Sequence, residues 1–347
     1  MIRVDLRSDT VSHPSPEMMK AMAEAELGDD VYGDDPTVNC LQEKSADILG
    51  KEDAVFVASG TMSNLVAILA QTQRGDEVIV GSQAHIFRAE AGGASVLGGV
   101  NYHAVTNEPD GTMPAEGIEA AVRPDDIHMP PTSLLCLENT PNGAGGVAVT
   151  PSGTRAMTDV ARAHGLRVHM DGARLFNASV ALECPASVLV EDVDTVGFCL
   201  SKGLSCPIGS VLAGDASFVD EARKWRKIVG GSMRQVGIIA AAGIVALETM
   251  VERMADDHSN ARRLAEGLAN IDGIGLDLER VQTNIIRFSV PQNSGIRIAS
   301  RLGDEGVLIN PTRCGEVSLR MVTHYGIDAS DIEFTLSVMS NVMSEIA

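Results

Sequence analysis

Short, unbroken apolar runs recur along the first two thirds of the chain: Ala54–Ala58 (AVFVA), Glu77–Val80 (EVIV), Val100–Val105, Ser133–Leu137 (SLLCL), Leu166–Met170 (LRVHM), Thr195–Leu200 (TVGFCL) and Ile208–Ala213 (IGSVLA). They lack a clear polar alternation, which is the pattern of strands covered on both faces. Helical patterns separate most of them. Glu17–Glu26 (EMMKAMAEAE) predicts one helix, Pro36 opens a second that Gly50 ends, and Met62–Thr72 predicts a third. Alternation of this kind implies an α/β fold with a mostly parallel seven-stranded sheet between helices.

The pattern changes after about Met233. A long helical stretch is predicted to Met254, followed by the helix DDHSNARRLAEGLA. Strands are then expected at Gly275–Leu278, Asn284–Val290, Gly306–Ile309 and Val317–Thr323, with Ile296–Leu302 and the last twenty residues helical. This divides the chain into a large domain, residues 1–250 with an N-terminal arm over 1–16, and a smaller C-terminal α+β domain over 251–347. No period of a repeat protein is present.

Charge and composition narrow the function. The 27 Lys and Arg against 47 Asp and Glu leave a formal charge of −20, a field that repels nucleic acid, and aromatics at 3% disfavour base stacking. The longest apolar run, Val236–Leu247, is 12 residues and contains two Gly, too short to span a bilayer. The opening MIRVDLRSDT carries no apolar secretory segment. The 6 Cys show no C-x-x-C pair, so neither a disulfide lattice nor zinc spacing is indicated. A soluble, reduced, cytoplasmic protein with no nucleic-acid or membrane partner is expected. The acidic pairs Asp29-Asp30, Asp34-Asp35, Asp125-Asp126 and Asp256-Asp257 are scattered without EF-hand spacing, so no metal site is assigned.

Three segments carry candidate chemistry. Ser59-Gly60-Thr61 joins a buried strand to a helix start, where free N–H groups and the positive dipole end suit a phosphate. Asp171, in VHMDGARL, falls at the C-terminal end of an apolar strand, the edge at which α/β sheets bind ligands, and Arg174 lies within reach of the same cleft. Lys202 sits between two apolar strands, where desolvation favours a neutral, nucleophilic amine of the Schiff-base kind. Each has a plainer reading alone: a helix cap, a second cap, a lysine that reaches solvent. Taken in order, phosphate cup, Asp and Lys are what pyridoxal 5'-phosphate asks of a protein. No Walker or Rossmann glycine motif competes.

The chain resembles the L-threonine aldolases of low-specificity type, within the aspartate-aminotransferase-like (fold type I) enzymes and the β-eliminating lyase group. The resemblance is carried by Asp5–Thr10 (DLRSDT), Gly28–Asn39, Ser59–Asn64, Ala84-His85, Asp125–His128, His169–Leu175 (HMDGARL), Leu200–Leu204 (LSKGL), Trp225–Lys227, Gly230–Gln235 (GGSMRQ) and Leu319–His324 (LRMVTH). One loop departs. Where the family reads Glu-Asn-Thr-His-Asn and then a Lys-Val-Leu-Pro-like stretch, this chain has Glu138-Asn139-Thr140-Pro141-Asn142 and GAGGVAVTP. That bears on substrate range and stereochemical preference.

By resemblance, Lys202 holds the cofactor's aldehyde and Asp171 its pyridine nitrogen. Arg174 contacts the ring hydroxyl or the substrate carboxylate, and Ser59, Gly60 and Thr61 bind the phosphate, with Lys227 and Arg234 of a neighbouring subunit nearby. His85 stacks on the ring, Ser8 and Arg320 clamp the α-carboxylate, and His128 lies near the β-hydroxyl. The implied activity is cleavage of threonine, allo-threonine and related β-hydroxy-α-amino acids to glycine and an aldehyde, by a dimer or tetramer with shared active sites. A β-eliminating lyase, an aminotransferase or a racemase is the alternative within the fold. A pyridoxal phosphate-binding DNA regulator is disfavoured, since residues 1–16 leave no room for a DNA-binding domain.

Overall fold

The computed structural model describes residues 2–311 and 317–346. The seven predicted runs form one sheet: β1 (Asp53–Val57), β2 (Glu77–Gly81), β3 (Asn101–Val105), β4 (Thr132–Glu138), β5 (Arg167–Asp171), β6 (Thr195–Cys199) and β7 (Ser210–Gly214). Their spatial order is β1-β7-β6-β5-β4-β2-β3. From β3 to β6 the neighbours are all parallel, whereas β7 runs antiparallel to both β6 and β1. Two reversals restore the direction, so β1 points the same way as β2, β4, β5 and β6. The segments that follow those five strands therefore emerge at one edge of the sheet. The helices do what burial on both faces requires, and only the edge strand β3 is largely uncovered.

Helix boundaries follow local chemistry. Asp35 caps Pro36–Leu49 by accepting the Thr37 and Val38 N–H groups, and Gly50 closes it at φ 65°. The same Asp35 carboxylate accepts the buried N–H of Gly237 at 2.9 Å, pinning the start of Gly237–Thr249. The helical stretch expected from Met233 to Met254 is not continuous. It breaks after Thr249, and Met254–Ala269 forms a separate helix.

The C-terminal part builds a three-stranded antiparallel sheet from Asn310–Pro311, Ser318–Val322 and Ile285–Ser289. It is packed with Met254–Ala269, Gly295–Asp304 and Ala329–Ile346. No strand forms over Gly275–Leu278. Gly275 makes a single bridge to Ser289, and Asp277 then caps a 3-10 turn over Leu278–Arg280 with its own side chain. A short polar side chain that caps locally outcompetes the ladder there. The N-terminal arm belongs to this half: Val4–Asp5 pairs with Val307–Leu308, and Val4 and Leu6 lie in the second core with Ile286, Leu302 and Met339. Cys40, Cys136, Cys184, Cys199 and Cys206 are free, and Cys314 lies outside the described residues. No described helix is long and apolar enough to cross a membrane.

Candidate active site

At the shared edge, β1 runs into Ser59, which caps the helix Gly60–Gln71 by accepting the Met62 N–H. The N–H groups of Gly60 and Thr61 are first-turn donors with no preceding carbonyl to satisfy them, the arrangement that binds anions. Glycine is required at position 60 for a second reason: a Cβ there would stand 2.7 Å from Cys199 Sγ at the end of β6.

Asp171 ends β5 and is buried. One carboxylate oxygen accepts the Ala173 N–H at 3.0 Å and the other the Asn64 carboxamide N–H at 2.9 Å. Asn64 in turn accepts from His169 Nε2, and His169 Nδ1 meets Thr195 Oγ1. Burial pushes the His169 pKa down to about 4, so the ring is a neutral strut. The same Asn64 amide reaches Glu90 at 2.9 Å, and Glu90 holds His85 Nδ1 at 2.7 Å. His85 opens the four-residue helix His85–Arg88 beyond β2. The Glu90 hydrogen bond raises its pKa, while burial raises that of Glu90.

His85, Glu90 and Asp171 present ligand atoms within 4.8 Å of one another. They do not suit a cation. The Asn64 N–H donor points between the two carboxylates, where a metal ion would meet the positive end of its dipole.

Lys202 lies half-buried in the β6–β7 connection, where its backbone carbonyl accepts the Ser205 N–H at 2.8 Å. Its charge is felt at both Asp9 and His85. Arg174 is spoken for: its guanidinium makes a two-pronged contact with Asp9 at 2.7 and 2.8 Å, fully enclosed. Burial alone would raise the Asp9 pKa, but Arg174, with Lys202 and an Asn284 hydrogen bond, holds it far below the carboxylate range. Arg174 therefore reaches the cleft as half of an ion pair, which limits what it can give a ligand directly.

Arg320, on Ser318–Val322, donates to Asn142 Oδ1 at 2.7 Å and to the Arg7 carbonyl at 2.9 Å. Burial, then the neighbouring charge of Arg174, lowers its pKa to about 10. A desolvated guanidinium facing another cation is a strong attractor of carboxylates. Ser8, adjacent to Arg7, caps the turn Asp9–Val11 and accepts from Thr10. The departing loop packs Pro141 against Gly111 and sends Asn142 to Arg320.

Three sequence candidates do not join this cluster in the single chain. His128 lies in the loop before β4, at the opposite edge of the sheet, where it is 78% exposed and bonded to Asp126. Lys227 is exposed on Ala216–Ile228. Arg234 is exposed and pairs with Asp29, while Asp30 N–H bonds the Arg234 carbonyl, so the loops 28–35 and 230–235 form one surface unit. Conversely, Asp9, Asn64, Glu90, Glu138 and Asn142 hold the site together without having been singled out. Asp9 and Asn64 did lie inside the matched motifs, and Glu138 and Asn142 inside the departing one. A polar residue near a strand end was the available signal.

The arrangement fits pyridoxal 5'-phosphate. Helix-start N–H groups face the phosphate position, Asp171 retains acceptor capacity beyond its two donors, and a lysine approaches from the next strand connection. The family model of the β-eliminating lyases matches residues 5–291. The chain is 44% identical to low-specificity L-threonine aldolase 1 of Arabidopsis thaliana, over 99% of this chain and 97% of that one. It is 43% identical to the low specificity L-threonine aldolase of Escherichia coli K12, over 95% and 96% of the two chains. The fold is similar to that of a Leishmania major threonine aldolase, with a TM-score of 0.83 at 20% identity over 98% of this chain and 100% of that one. With a fold type I architecture, residues that fit the cofactor and kinship across nearly its whole length, the chain belongs to the β-eliminating lyase family, among the low-specificity L-threonine aldolases.

Proposed function

We propose that this protein cleaves L-threonine, L-allo-threonine and related β-hydroxy-α-amino acids to glycine and an aldehyde, acetaldehyde from threonine. The observation that supports this best is the convergence of the Ser59 helix start, Asp171, Lys202 and Arg320 at one end of the sheet. Pyridoxal 5'-phosphate, when bound, supplies the electron sink that makes Cα–Cβ cleavage possible.

The chain's own residues do the rest. Lys202 would provide the amine that links the cofactor. Asp171, kept in place by Asn64 and Ala173, holds a positive partner at the ring nitrogen. Arg320, with Ser8, would hold the α-carboxylate and so fix the substrate's orientation, a positioning effect. His85, held by Glu90, would pack against the cofactor, and a histidine, His85 or a neighbouring copy's His128, would accept the β-hydroxyl proton directly or through a water.

His128, Lys227 and Arg234 act, in this reading, from a neighbouring copy in a homo-oligomer, a dimer at least and a tetramer by kinship. A groove lined by Thr61, Met62, Leu65, Leu97, Trp225 and Ile228 beside the phosphate position supports a partner surface there. Free cysteines suit the cytoplasm. Assay with threonine, allo-threonine and phenylserine tests the reaction. Aldehyde release supports it, and ammonia with an oxoacid would move the chain to the eliminating branch.

A further inference from the structure

The loop after β4 carries a chain of hydrogen bonds that begins at Glu138. This residue ends β4 and stands opposite Asp171 in the β4–β5 register. Its two oxygens do two jobs: Oε2 accepts the backbone N–H of His85 at 2.9 Å, and Oε1 that of Asn142 at 3.0 Å. Asn142 then passes its own side-chain oxygen to Arg320 Nη1 at 2.7 Å. The arginine's second grip, on the Arg7 carbonyl, comes from a different segment, so the fork is held between the arm and this loop.

We propose that Asn142, seated by Glu138, is the positioning residue that aims Arg320 at the substrate carboxylate, and that Glu138 thereby couples the seat of His85 to the carboxylate clamp. The proposal rests on the reading of Arg320 as that clamp. An Arg fork binds a carboxylate in two parallel bonds only when its plane is fixed, and a planar group held at one Nη by a side chain and at the other by a backbone carbonyl is fixed. Glu138 faces Asp171, His85 and Arg174. Burial first, then Asp171, pushes its pKa up to about 7. Protonation turns one of its two acceptor oxygens into a donor, which opposes an N–H it now receives.

The test uses the holoenzyme and two readouts: KM and kcat for threonine, and the Kd of glycine from the change in cofactor absorbance. Arg320→Lys sets the scale and is expected to raise both KM and Kd by at least about tenfold. Asn142→Ala is expected to raise them about tenfold, with kcat within about threefold, because one hydrogen bond to a charged group is lost. In the Arg320→Lys background the same Asn142→Ala change should add less than about twofold, since there is no fork left to aim. The fall in glycine affinity of the unaltered protein should steepen as pH drops through about 7, and Glu138→Gln should weaken binding at all pH values and remove only that added steepening. The apoprotein of each variant should melt within a few degrees of the parent. A full tenfold effect of Asn142→Ala in the Arg320→Lys background, or none in the parent while Arg320→Lys is damaged, overturns the link. If Arg320→Lys itself leaves KM and Kd unchanged, the clamp reading falls, and with it the role given to Asn142.

Discussion

Replacing Asp9 with Asn removes one charge from an enclosed pair and strands the other. Asp9 is 0% exposed and Arg174 7%, and their two contacts measure 2.7 and 2.8 Å. An asparagine can accept one of those bonds but leaves the guanidinium uncompensated in a site with little water. Breaking a buried pair from one side costs about 3–5 kcal/mol, a large part of the roughly 5–15 kcal/mol that holds a fold together. At roughly 2–4 °C per kcal/mol, Asp9→Asn is expected to lower Tm by on the order of 10 °C. The exposed Asp29–Arg234 pair provides the control, since such pairs contribute about 0–1 kcal/mol and Asp29→Asn should shift Tm by no more than about 2 °C. The pH dependence carries its own sign. The folded pKa of Asp9 is depressed below its unfolded value, so its contribution is fully present above the unfolded pKa and is lost only as pH falls toward the folded one. The Tm gap between the parent and Asp9→Asn should therefore stay constant from pH 8 to about pH 5 and narrow only below about pH 4. Melts at several pH values in low salt, on the apoprotein, measure it. A gap under 1 °C, or one that closes between pH 8 and pH 6, would refute the argument that this pair is closed to solvent and ionised.

Other outcomes follow from the same geometry. Lys202→Ala should bind pyridoxal 5'-phosphate without the covalent adduct that borohydride traps in the parent protein; an adduct that persists would assign the link to another lysine. Asp171→Asn should keep the fold and lose activity by several orders of magnitude, and near-normal turnover would reduce Asp171 to a partner for Asn64 and Ala173. His85→Ala should chiefly loosen the cofactor, read as a higher dissociation constant. His128→Ala should lower kcat by about 10² to 10⁴-fold if a neighbouring copy delivers it as the base. Light scattering on dilute protein accompanies that measurement, because an active monomer would leave His128 on the wrong edge of the sheet.

Much of the scaffold could be read along the chain. Six of the seven sheet strands were visible as apolar runs because burial on both faces leaves few polar positions, while the uncovered edge strand Asn101–Val105 was read from its weaker apolar signal. The order of Ser59–Thr61, Asp171 and Lys202 was legible too, since each follows an apolar run and chain order survives folding. Neither the break after Thr249 nor the loss of a strand at Gly275–Leu278 was visible. At Gly275–Leu278 the Asp277 cap outweighed a weak apolar signal. What only the tertiary structure decided is which groups face each other. Two antiparallel steps through β7 bring the end of β1 to the same edge as β5 and β6, and no local pattern encodes that reversal. The pairing of Arg174 with Asp9 spans from the N-terminal arm to the residues beyond β5, and the grip of Asn142 on Arg320 spans the two halves of the chain. Local sequence specifies periodicity, caps and turns because these depend on neighbours a few residues away. A charge buried far from its partner in sequence reveals that partner only when the chain has closed around both, for it is the exclusion of water that makes the pairing obligatory.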